Sequence, residues 1–311
     1  MASKVCVLGG TGFVGSHLVP RLHEAGWQVT VLTRHPHRHR ALQVLPGVTL
    51  RGADVHDPRQ LAAAFAGQDA VINLVGILNE SGRDTFQRVH VELGRKVVDA
   101  CRQQGVPRLL HMSALNTDPQ APSAYLRSKA AAEDYAHAAG GELAVTSFRP
   151  SVIFGPGDSF LNRFARLLRL TPFIFPLACP RARFQPVYVG DVARRMVDSL
   201  ADPADHGRRV ALCGPRVYTL EALVRYTAEL AGLRRRIIGL PDWASRLQAR
   251  LLGLLPGKPF TLDNYRSLSV DSVCGPDTRP CPTALEAVAP RYIGPHQREA
   301  VLQRFRRQAR R

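Results

Sequence analysis

Short apolar runs of strand length alternate with longer amphipathic segments through the first half of the chain. The runs are KVCVL (4–8), QVTVLTR (28–34), VTLRGAD (48–54), AVINLVG (70–76), RLLHMSAL (108–115) and LAVTSFRPSVIF (143–154). Helix-like segments occupy 14–25, 58–66, 84–104 and 122–139. This alternation predicts an α/β domain with a doubly wound parallel sheet, covered by helices on both faces. Ligands of such sheets bind at the carboxyl ends of the strands.

The alternation weakens after Phe154. Segments 159–169, 219–231 and 242–254 have helical periodicity. The runs FQPVYV (184–189) and RRVALCG (208–214) predict further strands, with a helix between them that Asp191 could cap. The last fifty residues are rich in proline and carry no clear pattern.

The first apolar run leads directly into a group of glycines, in VCVLGGTGFVGSHL (5–18). Gly10, Gly12 and Gly15 fit the spacing GxGxxG, and Gly9, Gly12 and Gly15 fit the wider GxxGxxG. The group follows a predicted strand and precedes a predicted helix, which is the context that a dinucleotide site requires. Glycines there allow a tight turn and close approach to a pyrophosphate at the helix N-terminus. The alternative is a glycine-rich turn that binds nothing.

The end of the second strand indicates which dinucleotide would bind. An acidic residue at this position accepts hydrogen bonds from the ribose hydroxyls of NAD. This chain has Arg34 instead, in VTVLTRHP. A guanidinium pairs bidentately with a 2′-phosphate. The sequence therefore favours NADP(H) over NAD(H), with Thr33, His35 and Arg38 as supporting candidates.

Two further strand ends complete the predicted cofactor site. Asp54 is placed to accept a hydrogen bond from the adenine amino group, and Asn73 to Gly76 would pass beside the nicotinamide ribose. The predicted cofactor-binding residues are Gly9, Gly10, Thr11, Gly12, Phe13, Val14, Gly15, Thr33, Arg34, Asp54, Val55, Asn73, Leu74, Val75, Gly76, Lys129, Pro150 and Ile153.

A candidate acid–base pair lies in SAYLRSKAAAE, where Tyr125 and Lys129 are four residues apart on a predicted helix. Side chains at this spacing share one helix face. A nearby ammonium is expected to lower the pKa of the phenol toward a range useful for proton transfer. Ser113, at the end of the fifth strand, could bind the substrate oxygen. The alternative is a surface tyrosine beside a solvated lysine.

These features divide the chain into two predicted parts. Residues 1–155 form an NADP(H)-binding domain, to whose sheet 182–214 returns. Residues 156–311 form a smaller, mostly helical lobe for a substrate or partner, and its C-terminal tail (298–311) is basic. Segment 243–254 has Trp243, Leu247, Leu251 and Leu254 on one face. That face would lie on a membrane, dock on a partner or cover its own lobe.

Bulk composition restricts location and partners. The formal net charge is +17, which favours anionic partners or a solvated basic surface. No motif typical of nucleic-acid binding accompanies the charge, so no nucleic-acid partner is expected. Six scattered cysteines without a CxxC pair indicate reduced thiols and no metal site. We see no signal peptide and no membrane-spanning run, and we expect a cytoplasmic protein, with peripheral attachment to the inner membrane as an alternative.

The motifs resemble those of the extended or atypical short-chain dehydrogenase/reductases, which are NAD-dependent epimerase/dehydratase-like. GGTGFVG, Asp54, NLVG, Ser113 and Tyr125 to Lys129 match that superfamily's landmarks in order. YLRSKAAAE, FRPSVIFGPGDSFLNRFARL and FQPVYVGDVA are similar to the branch of the NAD(P)H-binding accessory subunit of respiratory complex I and its bacterial relatives. The resemblance implies a Rossmann fold, a small C-terminal lobe and bound NADP(H). In catalytic extended members, however, the serine lies farther ahead of the tyrosine.

Three functions follow from this resemblance and from the motifs. The first is an NADP-dependent oxidoreductase that uses Tyr125 and Lys129 on a small-molecule substrate of unknown identity. The second is a non-catalytic, cofactor-bound structural or assembly factor of a respiratory complex or quinone pathway. The third is a sugar-nucleotide epimerase or dehydratase.

Overall fold

The computed structural model describes residues 2–141 and 143–294. The strands are β1 (Lys4–Leu8), β2 (Gln28–Thr33), β3 (Val48–Gly52), β4 (Ala70–Asn73), β5 (Arg108–Met112), β6 (Ala144–Pro150), β7 (Ile153–Phe154), β8 (Ile174–Leu177), β9 (Arg183–Phe184), β10 (Val187–Tyr188), β11 (Arg209–Leu212), β12 (Tyr218–Thr219) and β13 (Arg236–Gly239). The α-helices are α1 (Phe13–Glu24), α2 (Arg40–Gln43), α3 (Pro58–Phe65), α4 (Leu93–Gln103), α5 (Ala124–Ala138), α6 (Leu161–Leu170), α7 (Val189–Ala201), α8 (Leu220–Leu230), α9 (Asp242–Gly253), α10 (Leu262–Leu268), α11 (Leu285–Val288) and α12 (Pro290–Ile293). Short 3-10 turns lie at Pro36–Arg38 and Pro203–Asp205, and a π-helical segment, Gln87–Glu92, leads into α4.

The described chain forms two compact units, one of residues 2–150 and 189–212 and the other of 151–188 and 213–294. The first unit contains a seven-stranded sheet in the order β11-β6-β5-β4-β1-β2-β3. All neighbouring pairs in it are parallel. The strand order reverses between β1 and β4, and ligands of doubly wound sheets bind at such a point. The predicted fold class is confirmed.

Local sequence explains why the helices of this unit begin where they do. Asp57 Oδ1 accepts a hydrogen bond from Arg59 N at 2.9 Å and Pro58 is the first residue of α3, a favourable start for a helix. Ser123 Oγ accepts from Leu126 N at 3.2 Å and caps α5 in the same way. The central strands β1, β4 and β5 are buried almost throughout, as expected for a sheet covered on both faces.

The second unit is smaller and mostly helical, as predicted. Its strands form two-stranded pairs, β7 with β10, β8 with β13 and β9 with β12. Helices α6 and α8 pack on a core that includes Phe154 and Tyr292. Tyr292 Oη donates to Asp158 Oδ2 at 2.7 Å, and Gly155 N donates to the same oxygen at 3.1 Å. This carboxylate therefore joins the Gly155 turn to the end of the described chain.

Several boundaries differ from the sequence-based expectation. The first unit ends at 150 and resumes at 189, whereas 155 and 182–214 were expected. The run FQPVYV is interrupted, because Pro186 lacks an N–H group and separates β9 from β10. Asp191 lies within the first turn of α7 and does not precede it, since α7 begins directly after β10. The basic tail, 298–311, lies outside the described residues.

The expectation that all cysteines are reduced is wrong for one pair. Cys213 and Cys274 form a disulfide with a Cα–Cα distance of 6.1 Å. The two are 61 residues apart, so only the fold brings them together. Cys6 and Cys101 are buried free thiols, as expected, and burial raises the pKa of Cys6 to about 12.

Helix α9 does not cover its own lobe with its apolar face. Trp243 and Leu254 are 71% and 85% exposed, whereas the opposite side of the helix, with Ser245 and Ala249, is buried. In the part of the chain that the structure describes, no helix combines the length and hydropathy needed to cross a bilayer.

Candidate active site

The glycines after β1 form a turn that only small residues allow. Gly9 has φ +75°, and a Cβ there would lie 3.1 Å from the carbonyl carbon of Leu74, in the segment that follows β4. A Cβ on Gly15 would lie 2.4 Å from Gly10 Cα, so α1 packs directly on the turn. Helix α1 starts at Phe13, and its first N–H groups have no acceptor within the helix. A helix N-terminus behind a glycine turn is the geometry that binds a pyrophosphate, and the pyrophosphate contact itself stays a prediction.

Basic residues surround the end of β2. Thr33 is buried and its Oγ1 accepts a hydrogen bond from His35 N at 3.4 Å, while Arg34 is exposed. Partial desolvation, followed by the charges of Arg38, His37 and Arg34, lowers the pKa of His35. The residue that follows β3 is bonded to this end of β2, because Ala53 N donates to Thr33 O at 3.2 Å. A positive field at this strand end suits a phosphate better than a neutral ribose.

The predicted residues at the ends of β3 and β4 are held by local hydrogen bonds. Asp54 is exposed and its Oδ1 accepts from His56 N at 2.9 Å. Val55 packs against the core of the first unit. Asn73 is buried and its Oδ1 accepts from Val75 N at 3.1 Å, while Leu74 N donates to Leu8 O at 3.0 Å. These bonds fix the segment between β4 and Gly76 against β1.

Lys129 reaches the same segment from α5. Its side chain is buried, and its Nζ donates to Met112 O at 2.9 Å, at the end of β5. A Cβ built on Gly76 would lie 3.1 Å from this Nζ. Burial lowers the pKa of Lys129 to about 8, an effect that Glu133 partly opposes. The ammonium therefore lies beside the strand ends where the nicotinamide ribose is predicted.

Tyr125 occupies the same helix, and its ring contacts two aromatic side chains. The ring centroid lies 5.9 Å from that of Phe86 and 5.6 Å from that of His90, both edge-on. Burial raises the pKa of Tyr125 to about 12, and the charge of Lys129 does not offset it. The predicted lowering of this pKa is therefore wrong for the structure, because desolvation by burial disfavours the charged phenolate.

His90 is a site residue that the sequence analysis missed. It is buried in the π-helical segment, and its Nε2 accepts a hydrogen bond from Ile77 N at 3.1 Å. Its Nδ1 lies 2.8 Å from Ser128 Oγ, which donates to Tyr125 O at 2.8 Å. The neutral tautomer with its proton on Nδ1 satisfies all three bonds. A single histidine in an unremarkable helix gives no sequence signal for this link.

Ser113 is engaged by a carboxylate. Its Oγ donates to Oε2 of the fully buried Glu133 at 2.6 Å, and Thr117 Oγ1 donates to the same oxygen at 3.0 Å. Arg149 and Arg209 approach Oε1 at 2.8 and 3.0 Å. Burial alone would raise the pKa of Glu133, but these hydrogen bonds and charges hold it below its usual value. The predicted contact of Ser113 with substrate stays a prediction, and this bond counts against it.

Two predicted cofactor residues lie elsewhere. Pro150 ends β6, and its carbonyl accepts from Leu115 N at 2.9 Å within the first unit. Ile153 belongs to β7 of the second unit. The structure thus brings the glycine turn, the β2–β3 ends, the Asn73–Gly76 segment and Lys129 to the carboxyl edge of one sheet.

Residues 5–213 match the model of the NAD dependent epimerase/dehydratase family. The chain belongs to this family. The resemblance to extended short-chain dehydrogenase/reductases, drawn above from the motifs, is confirmed, as is the narrower likeness to the complex I accessory subunit.

Two relatives illustrate the range of the family. The chain is 33% identical over 281 residues to mouse "NADH dehydrogenase (ubiquinone) 1 alpha subcomplex subunit 9, mitochondrial", covering 87% of this chain and 73% of the relative. It is 29% identical over 238 residues to the "Ceramide reductase" of Caulobacter vibrioides, covering 76% and 74% of the two chains. One relative is named as a subunit and the other as an enzyme.

A solved structure supports the same placement. "MoeE5 in complex with UDP-glucuronic acid and NAD" superposes with a TM-score of 0.64 and 25% identity, covering 76% of this chain and 85% of that one. The family and this neighbour establish a nucleotide-binding fold of the NAD-dependent kind.

Proposed function

We propose that the chain is an NADP(H)-binding oxidoreductase whose acid–base residue is Tyr125. The observation that carries the proposal is the position of Lys129. Lys129 is on the same helix as Tyr125. Its Nζ lies at the end of β5 and close to Gly76. When bound, NADP(H) would donate or accept a hydride at this edge of the sheet.

The roles of the protein residues follow from their surroundings. The turn with Gly9 and Gly15 would bind the pyrophosphate, and Arg34 would bind the 2′-phosphate. The nicotinamide ribose would be held by Lys129 and the segment 73–76. The adenine amino group would be held by Asp54.

The raised pKa of Tyr125 favours one direction of proton transfer. With a pKa of about 12, the phenol keeps its proton at neutral pH. Tyr125 Oη would then donate that proton to a substrate carbonyl oxygen, which suits reduction better than oxidation. His90 supports this residue through Ser128, and it would act by positioning.

Binding and turnover are tested separately. Native mass spectrometry of the purified chain should show NADP(H) carried through purification, and the observation of NAD(H) alone would contradict the assignment of Arg34. Turnover is tested by NADPH oxidation with lipid ketones, quinones and nucleotide sugars. Replacing Tyr125 by Phe should lower the rate on an active substrate by roughly 10²–10⁴-fold, with cofactor affinity unchanged. Equal rates for wild type and variant would exclude the catalytic role.

A second candidate is a cofactor-bound subunit or assembly factor that performs no turnover. It is favoured by the 33% identity to the mouse subunit and by the bond between Ser113 and Glu133. If this function is correct, the purified chain should contain bound NADP(H), and none of the substrates in the screen should oxidise it. The chain should also co-purify with a respiratory complex. The nucleotide sugars in the screen test the third alternative, an epimerase or dehydratase.

A further inference from the structure

The second unit exposes large apolar side chains on neighbouring segments. Along α9, Trp243, Leu247, Leu251 and Leu254 follow helical spacing and form one exposed stripe. Phe173 and Ile174, which precede and begin β8, are 78% and 52% exposed. We call these six residues the apolar patch. Exposed apolar surface of this kind on a soluble unit marks an interaction site.

The pairing of two strands extends the exposed surface. In the β8–β13 pair, Ile174 is opposite Arg236, and Pro176 is opposite Ile238. All four are exposed, whereas the alternate residues Phe175, Leu177 and Ile237 are buried.

Hydrogen bonds fix these segments to one another. Gln248 Nε2, on α9, donates to Pro176 O of β8 at 3.1 Å. Ser245 Oγ, on the buried side of α9, accepts from Cys179 N at 3.2 Å. Arg235 Nε donates to Leu168 O at 3.1 Å, and this bond joins the residue that precedes β13 to the last turn of α6. The outward direction of the stripe is therefore set by the packing of the opposite side of α9.

Arginines border the apolar patch. Arg169 lies in the last turn of α6, four residues before Phe173, Arg236 lies opposite Ile174, and Arg250 is on α9 beside Leu251; all three are exposed. Within the described residues, none of the three forms an ion pair. Asp242, at the start of α9, faces Arg246 on the same helix. The border is thus cationic, and it complements an anionic surface.

We propose that the apolar patch docks on a lipid bilayer with anionic headgroups, with α9 lying in the interfacial plane. Leucines and a tryptophan enter the acyl–headgroup boundary, and the arginines contact lipid phosphates. A second copy of the chain fits less well, because a symmetric contact would bring the arginines of one copy against those of the other. The apolar patch contains none of the predicted cofactor-binding residues, and its membrane contact goes beyond the proposed function.

Vesicle flotation of the full chain tests the proposal, with phosphatidylcholine alone and mixed with phosphatidylglycerol. Wild type should float with the mixed vesicles and lose most binding at high salt. The double variant Leu247→Ser, Leu251→Ser should bind at least tenfold more weakly. Val44→Ser is the matched control, since Val44 is a similarly exposed aliphatic residue of the first unit and should leave binding unchanged. Arg250→Gln should lose roughly fivefold on the anionic vesicles only.

Four outcomes would overturn the proposal. The first is wild type that stays unbound to mixed vesicles at low salt, and the second is a double variant that floats as well as wild type. The third is a dimer in light scattering that the double variant abolishes, which would identify a second copy as the occupant. The fourth is a chain that binds native membranes but not pure lipid, and that no longer binds once the membranes have been treated with protease. This result would identify a protein partner instead. All substitutions are at exposed positions. NADPH titration of each variant should show unchanged cofactor affinity, so that failure of the membrane proposal can be distinguished from failure of the cofactor proposal.

Discussion

His90 Nε2 accepts the backbone N–H of Ile77 at 3.1 Å, and this bond ties the segment leaving β4 to the π-helical turn that precedes α4. The other ring nitrogen contacts Ser128 on α5. One imidazole therefore couples the predicted ribose-binding segment to the helix of Tyr125 and Lys129.

We expect His90→Ala to destabilise the fold by roughly 1–3 kcal/mol, because the Ile77 amide loses its acceptor and a buried ring is removed. NADPH affinity should fall as well, since the 73–76 segment is released. Urea denaturation and fluorescence titration measure the two effects. In His90→Gln the amide oxygen can accept the same N–H, so this variant should recover part of the stability and part of the NADPH affinity. A His90→Gln variant that loses as much of both as His90→Ala would contradict the positioning role.

Two buried histidines predict loss of stability in acid. Burial lowers the pKa of His90 to about 2 and that of His111 to about 3, from an ordinary 6.5. Below pH 6.5 the unfolded chain binds these protons and the folded chain does not, so the free energy of unfolding falls as the pH falls. The slope is about 1 kcal/mol per pH unit for each histidine. Urea midpoints between pH 7 and 4 measure it, and His90→Gln should reduce the slope by one histidine's share.

Lys129 predicts a basic limit to cofactor binding. Its pKa is lowered to about 8, so the ammonium loses its proton as the pH rises through this value. NADPH affinity should therefore decrease between pH 7 and 9, as the cation that we propose contacts the ribose becomes neutral. Titrations across this range test it. Lys129→Met should bind more weakly at pH 7 and show a flat profile, and a wild-type profile without any decrease would argue against the contact.

Arg34 should set the choice between the two dinucleotides. Arg34→Glu is expected to weaken NADPH binding by roughly tenfold or more, with a much smaller effect on NADH, because the proposed charged hydrogen bond to the 2′-phosphate would become a repulsion. Arg40→Glu changes the net charge equally, on the helix that follows, and serves as control. Equal losses of NADPH affinity in the two variants would show a general electrostatic effect of the basic residues, and they would contradict a specific contact between Arg34 and the 2′-phosphate.

The Cys213–Cys274 disulfide closes a long loop of the second unit. Its removal in Cys274→Ser should destabilise that unit by roughly 2–4 kcal/mol. Thermal unfolding with and without reductant measures this, and wild type in reductant should resemble the variant. Cys281→Ser, which changes a cysteine of the same unit outside this disulfide, is the control, and it should leave the destabilising effect of reductant unchanged.

Features with a local sequence pattern were the ones that the sequence predicted well. The six parallel strands 4–154, the turn after β1 and the Tyr125–Lys129 spacing each depend on residues close together in the chain. His90, Glu133 and the disulfide depend on distant partners. Glu133 joins Ser113 to Arg209 across separate strands. No periodicity or motif encodes such contacts, because the fold alone creates them.

The position of β11 has a consequence for how the chain is made. This strand forms an edge of the main sheet against β6, and α7 packs on α1, yet both elements are encoded after the first segment of the second unit. A ribosome that has released only the first 155 residues presents a sheet in which one edge of β6 lacks its partner strand and the surface of α1 that packs on α7 is uncovered. Folding of the dinucleotide-binding half must therefore wait until residue 212 has emerged, and a fragment truncated at the apparent sequence boundary would aggregate through its open edge.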